Sequence, residues 1–280
     1  MRVVNAAGRA SLVTADGLVD VESASGGALP AGPQELYEHW DALRAWAADL
    51  TGAPVPPRVV RDLGPPAPRP RQVFAIGLNY RDHAAESGVD LPRAPVVFTK
   101  FPASITGPSA TVTLPQGSVD FETELVVVLG RHAHRVPAAR AWDHVAGLTL
   151  GQDLSERRLQ FTPPTPQFSL AKSYPGFAPI GPELVTPDEF PDRDDIGLGC
   201  RLNGELVQQS RTSRMVFSVS EIISYLSSIV PLFAGDVIFT GTPAGIGAAR
   251  DPARFLAAGD ELVTFAEGIG SMHTRFTSES

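Results

Sequence analysis

Cysteine is nearly absent: Cys200 stands alone in 280 residues. No intrachain disulfide framework can form. Lysine is almost as scarce, with Lys100 and Lys172 the only two against 21 arginines. No apolar run approaches the ~20 residues that cross a bilayer, and Met1 to Ala10 lacks the apolar core of a secretory signal. Positive charge is in deficit too. The formal net charge of −8 gives no support to a nucleic-acid or anionic-membrane partner. These absences together read as a cytoplasmic protein. The chain also has no Gly-x-Ser-x-Gly nucleophile elbow and no Gly-Lys-Ser/Thr phosphate loop. Cys200 falls in a hairpin strand and reads as an ordinary buried thiol, so a covalent serine or cysteine mechanism is disfavoured. In so arginine-rich a chain, Lys100 and Lys172 mark positions where a compact ammonium is needed rather than a guanidinium fork. Chance survival of two lysines is the plainer alternative.

What the sequence does have is acid on a strand. Asp120-Phe121-Glu122-Thr123-Glu124 alternates and then runs into Leu125 to Leu129, apolar throughout and closed by Gly130. Side chains two apart share a strand face, about 6.6 Å from one to the next, so Asp120, Glu122 and Glu124 would project together. Three unpaired carboxylates repel one another, and burying them is costly. A hard divalent cation with oxygen ligands removes that cost. A solvated edge strand with acids facing water is the alternative, and the apolar run directly beyond the acids argues against it.

Taken in order, residues 1 to 30 are short β-like runs that suggest a small sheet. Leu36, Trp40, Leu43, Ala47 and Leu50 fall on one face of a helix expected from Pro33 to Leu50. Residues 51 to 72 contain seven prolines and read as an extended linker, which puts a domain boundary near residue 70. Val73 to Leu78 is a strand that delivers His83 and Glu86. These are three apart and on one helical face, as a carboxylate-held general base or as an incidental pair. Gly77-Leu78-Asn79 just before them suggests a hinge. His132 and His134 have strand spacing for a metal, but flanking arginines favour a solvated turn. Val145 to Leu150 is a strand that leads to Asp153, with Arg157 and Gln160 beyond. Asn203-Gly204 signals a hairpin, and Ser218 to Glu221 a capping box. The loop Gly241-Thr242-Pro243-Ala244-Gly245-Ile246-Gly247 lacks nucleotide-binding spacing, and its backbone is expected to approach a small ligand.

Over roughly residues 71 to 277 the ordered set of motifs resembles the fumarylacetoacetate hydrolase family. It runs from Asn79-Tyr80 with His83 and Glu86, through Phe98-x-Lys100, Asp120-Phe121-Glu122-x-Glu124, Asp153 with Arg157 and Gln160, and Ala171-Lys172-Ser173. It ends with Asn203-Gly204, the run from Gly235 to Gly247, and Gly268-Ile269-Gly270. The resemblance implies a mainly β fold with some α, a mixed β-sandwich roll at residues 71 to 280, preceded by a small N-terminal domain at 1 to 70. It further implies a homodimer and one Mg²⁺ or Mn²⁺, with Ca²⁺ also in range. By motif position Glu122, Glu124 and Asp153 would be the metal ligands, with Asp120 behind them. His83 and Glu86 would activate water, Lys172, Arg157 and Gln160 would surround the developing anion, and Thr242 with its loop would hold the substrate carboxylate or oxo group. Lys100 would pair with a carboxylate.

The reaction expected on these grounds is hydrolysis of a carbon–carbon bond in an acylpyruvate-type β-diketo acid. Decarboxylation of oxaloacetate, and isomerisation or hydration of an unsaturated 2-keto acid, can use the same site. A metal-binding scaffold without catalysis is the runner-up, and it would be favoured if His83, Lys172 or one of the carboxylates were missing; none is. The substrate tail is expected to lie against the His83 segment and the loop from Thr162 to Phe168.

Overall fold

The computed structural model describes residues 1–50 and 63–279. The acidic stretch leads into the strand Thr123–Leu129, whose seven residues are all buried. This strand is interior to an eleven-stranded mixed sheet. On one side it pairs antiparallel with Val145–Gln152, and on the other with Val237–Phe239. The parallel strand Val73–Gly77 follows, then Val96–Thr99 at the edge.

An interior strand covered on both faces needs apolar side chains at every position, and the two-residue period sorts them. Leu125, Val127 and Leu129 pack with Ile222, Ile223 and Leu226 of the helix Val219–Ile229. Val126 and Val128 pack against Leu36, Trp40 and Leu43 from the N-terminal segment. Gly151 leaves room for the Phe239 and Val126 side chains, because a Cβ there would lie 2.6 Å from both. A second sheet of five strands has the order Glu205–Arg211, Gly197–Leu202, Glu261–Ala266, Gly270–Ser278, Thr111–Leu114. Its core includes Phe121, Cys200, Leu262 and Phe276. Strands dominate, as expected. The Asn203-Gly204 hairpin forms with both residues at positive φ, 51° and 87°, and the Ser218–Glu221 capping box is complete.

Several expectations need correction. Residues 1 to 30 do not form a sheet of their own. Arg2–Ala6 pairs with Ala178–Val185 and extends the large sheet outward through Arg9–Thr14 and Gly17–Asp20. The helix expected from Pro33 to Leu50 is a 3-10 turn, Glu35–His39, followed by an α-helix, Trp40–Ala48. Most of the proline-rich stretch, 51–62, lies outside the described residues. The rest is fastened rather than free: Pro65 and Pro66 carbonyls accept from Asn5 and the Tyr37 hydroxyl. His132 and His134, by contrast, are exposed, in keeping with the solvated turn that their flanking arginines favour.

Cys200 is fully buried, and burial pushes its thiol up to about 12. A thiol reagent at pH 8 should therefore leave the folded protein unmodified and titrate one group only after denaturation. Rapid labelling of native protein would contradict this burial.

Candidate active site

The acidic strand is broken where the chemistry gathers. Asp120 belongs to a two-residue ladder with Ser155–Glu156, and the long strand starts only at Thr123. Side chains take the backbone hydrogens in the gap. Phe121 N–H donates to Asp120 Oδ1 at 2.8 Å and Glu122 N–H to Gln152 Oε1 at 3.0 Å. The expected continuous row of three acids is therefore replaced by a pair plus a separate Asp120. Asp153, just beyond Val145–Gln152, donates its N–H to the Glu122 carbonyl. The result brings Glu122, Glu124 and Asp153 together, with one carboxylate oxygen of each within 4.8 Å of the others.

Three buried cations surround this cluster. Lys172 Nζ donates to Glu122 at 2.8 Å, to Asp153 at 2.7 Å and to Ser155 Oγ at 2.7 Å, which uses all three of its protons. Lys100 Nζ lies 2.6 Å from the other Asp153 oxygen and also donates to the Lys172 carbonyl. Arg157 donates to Asp120 at 2.9 Å, to Glu122 at 2.7 Å and to Gln160 Oε1 at 2.8 Å. Both lysines thus sit at the acids, Lys100 as the partner of a carboxylate.

Electrostatics show what the cluster still needs. Burial pushes Glu122 up, but the charges of Lys172, Arg157 and His83 outweigh it and hold the carboxyl well below its usual range. Glu124 goes the other way. Burial, then Asp153 and Glu122, raise it well above the carboxylate range, and the Gly241 N–H at 2.6 Å offsets this only in part. Asp120, Glu122, Glu124 and Asp153 carry four formal charges against three on Lys100, Arg157 and Lys172, all buried. A divalent cation would favour the ionised form of Glu124, and with all four acids ionised it would turn the formal net charge of minus one into plus one. A monoanionic substrate would then neutralise the site. Oxygen donors in this number suit a hard cation such as Mg²⁺ or Mn²⁺, so the residues fit the implied metal.

His83 and Glu86 pair as their spacing suggests. The short helix Arg81–Glu86 sets His83 Nδ1 2.8 Å from Glu86 Oε1. Asn79 before it is an anchor rather than a hinge. Its side chain bonds the Thr240 and Phe217 carbonyls and the Phe217 N–H. His83, Glu86, Glu122, Arg157, Gln160, Lys172 and Thr242 all line one cavity of about 550 Å³. Glu124 and Asp153 lie buried beneath it.

The glycine-rich loop does something the sequence reading missed. Its N–H groups hold the site's own acids: Gly241 bonds Glu124, Gly245 bonds Glu86 at 2.9 Å, and Gly247 bonds Asp120 at 2.7 Å. Gly245 has φ 103°, and a Cβ there would meet the Val207 carbonyl at 2.2 Å, so only glycine fits. The Thr242 hydroxyl donates to the Thr123 carbonyl and accepts from Gln208. Its proton is committed to the protein, although the residue lines the cavity. Gln152 and Gln208 were also missed. Each is buried and cross-links the acidic strand to neighbouring segments. No local pattern distinguishes them from surface glutamines.

The family described as fumarylacetoacetate (FAA) hydrolase C-terminal matches residues 72–277. The chain belongs to this family. The human oxaloacetate tautomerase FAHD2A, a mitochondrial protein, is 42% identical over 231 residues, 82% of this chain and 73% of its own. A solved structure from Mycobacterium smegmatis, with a provisional HpcE assignment, is 58% identical with a TM-score of 0.96, and the match covers 100% of both chains. A probable 2-hydroxyhepta-2,4-diene-1,7-dioate isomerase from Mycobacterium abscessus is 32% identical with a TM-score of 0.85, covering 100% of this chain and 98% of its own. These relatives carry the names of enzymes. The human relative's mitochondrial location does not match the cytoplasmic expectation. Among the described residues no helix is long and apolar enough to cross a membrane.

Replacing Lys172 with methionine should lower kcat by about 10²-fold, the upper scale of losing a partner that orients metal-ligating carboxylates. Divalent-cation affinity should hold or rise, because a competing charge leaves Glu122 and Asp153. Calorimetric titration of Mn²⁺ beside the kinetics checks both, and unchanged kcat would refute the placement.

Proposed function

We propose that the protein catalyses proton transfer at the carbon next to the carbonyl of a 2-oxo acid, interconverting keto and enol forms. The supporting observation is that the His83–Glu86 pair lines the same cavity as Glu122, one of the three clustered carboxylates. Glu122, Glu124 and Asp153 would hold the divalent cation. When bound it would act as a Lewis acid on the substrate's carboxylate and keto oxygens and stabilise the enolate. Lys100 and Lys172 fix both oxygens of Asp153, and Arg157 fixes Glu122, so the donor set is preorganised. Glu86 accepts from His83 Nδ1–H, which leaves Nε2 as the nitrogen able to take and return the proton. The tautomerase and isomerase named among the relatives both move protons in enolisable acids, which supports this reading.

Carbon–carbon hydrolysis of acylpyruvates is the second reading. It would use His83 to activate water, and the apolar upper wall of the cavity favours it, because an acyl tail would lie there. The experiment is to load the protein with Mg²⁺ or Mn²⁺ and supply oxaloacetate enol and acylpyruvates. Loss of enol absorbance is followed while products are identified. Ketonisation without cleavage supports the first reading, and pyruvate with a carboxylic acid supports the second. Turnover of neither class would refute both. A homodimer is part of this proposal, and sedimentation velocity tests it.

A further inference from the structure

We infer that, among 2-oxo acids long enough to reach the outer part of the cavity, the protein selects those whose far end is uncharged and apolar, an alkyl or aryl group, over those ending there in a second carboxylate. The inference rests on the proposed function for the substrate's head and concerns only its tail.

The wall above the charged floor is aromatic. Phe98 and Phe168 lie 5.5 Å apart between ring centroids, and Phe161 meets Phe168 edge-on at 6.4 Å. Val89, Val96 and Ile246 complete that side of the cavity. Phe161 is 57% exposed, Val89 44% and Val96 39%. Large apolar side chains left open together at the mouth of a cavity mark a surface built to be covered. The wall is tied to the floor by chain connectivity. Phe161 directly follows the helix Arg157–Gln160, Phe168 opens the helix Phe168–Ala171 that leads to Lys172, and Phe98 lies two residues before Lys100. Lys172 Nζ lies 5.0 Å from the Phe98 ring centre, so this ring is the boundary between ammonium and apolar wall.

The cations account for the other half of the selection. Among the described residues, Arg157, Lys172 and His83 are the basic groups lining the cavity. Arg157 is committed to Asp120, Glu122 and Gln160, Lys172 to Glu122, Asp153 and Ser155, and His83 Nδ1 to Glu86. A carboxylate at the far end of a long substrate would leave water for aromatic rings and find no uncommitted cation, which is strongly unfavourable. A methylene there gains the transfer value of a buried CH₂.

The test is kcat/KM for metal-loaded protein with 2,4-dioxo acids bearing methyl, propyl, pentyl or phenyl at the far carbonyl. A tail of pentyl length ending in a carboxylate completes the series. The expected result is a rise of about fourfold per added methylene until the wall is filled, and a loss of about 10²-fold for the carboxylate tail relative to pentyl. Phe168→Ala should flatten the length dependence. Phe161→Arg, at an exposed position where folding is not at stake, should narrow the gap between the carboxylate and pentyl tails. A flat series in the unaltered protein, or a preferred carboxylate tail, would overturn the inference and leave the proposed function standing. No turnover of any acid would overturn the proposed function and the inference with it.

Discussion

Stripping divalent cations is expected to abolish turnover of every 2-oxo acid, and Mg²⁺ or Mn²⁺ should restore it. The cause lies in the charges. Without a cation, burial, Asp153 and Glu122 push Glu124 well above the carboxylate range, so it holds its proton more tightly than an ordinary carboxyl. Cation binding must expel that proton, and affinity should therefore fall as pH is lowered. A cation that binds only the folded chain should, at a hundred times its Kd, add about 2.7 kcal/mol of stability and raise the Tm. Glu124→Gln is the sharper variant. The amide keeps an oxygen for the Gly241 N–H, so the protein should fold while cation affinity drops by at least about 10²-fold. Full activity in chelator, or unchanged affinity in Glu124→Gln, would contradict the carboxylate site.

His83→Ala should lower kcat by about 10² to 10⁴-fold, the usual contribution of a positioned general base. Its partner makes this more than a guess from residue type. Glu86 holds Nδ1 with one oxygen and accepts the Gly245 N–H with the other, so the ring is fixed from both the helix and the glycine loop. Cation affinity should stay within a few-fold, because His83 is not among the three clustered acids. Decarboxylation of oxaloacetate should suffer less than proton transfer or acylpyruvate cleavage, since it needs neither a base at carbon nor an attacking water. Loss of cation binding in His83→Ala, with no separate effect on rate, would show that the ring supports the metal site instead.

The pairing of Glu122 with Glu124 was legible because acids are rare in buried strands, whereas the grouping of Asp153 with them, and the setting apart of Asp120, came from the family resemblance. Glu122, Glu124 and Asp153 stand beside apolar runs, and two lysines stand among 21 arginines. The His83–Glu86 spacing also survived intact, because three residues on a short helix leave the pair little freedom. What could not be read depends on backbone hydrogen bonds across the chain. The break after Asp120 arises because Gln152 and Asp120 take N–H groups that a strand neighbour would otherwise satisfy. The glycine loop's donors are aimed at Glu124, Glu86 and Asp120, which alternation and propensity cannot foretell. The N-terminal strands looked like a small sheet because nothing in Arg2–Ala6 itself names Ala178–Val185 as its neighbour. The loop from Thr162 to Phe168 is expected at the substrate tail, and the fold adds Phe98 and Phe161 beside Phe168 to make a wall that sequence order does not reveal.

The central claim is proton transfer at the carbon beside the keto group, and solvent-hydrogen exchange measures it directly. Metal-loaded protein in D₂O, with a 2-oxo acid followed by proton NMR, should incorporate deuterium at C3 well above the uncatalysed rate. That incorporation should precede any product, require the cation, and fall with His83→Ala by the factor seen in kcat. Products that accumulate with no enzyme-dependent deuterium at C3 of the remaining substrate would contradict it.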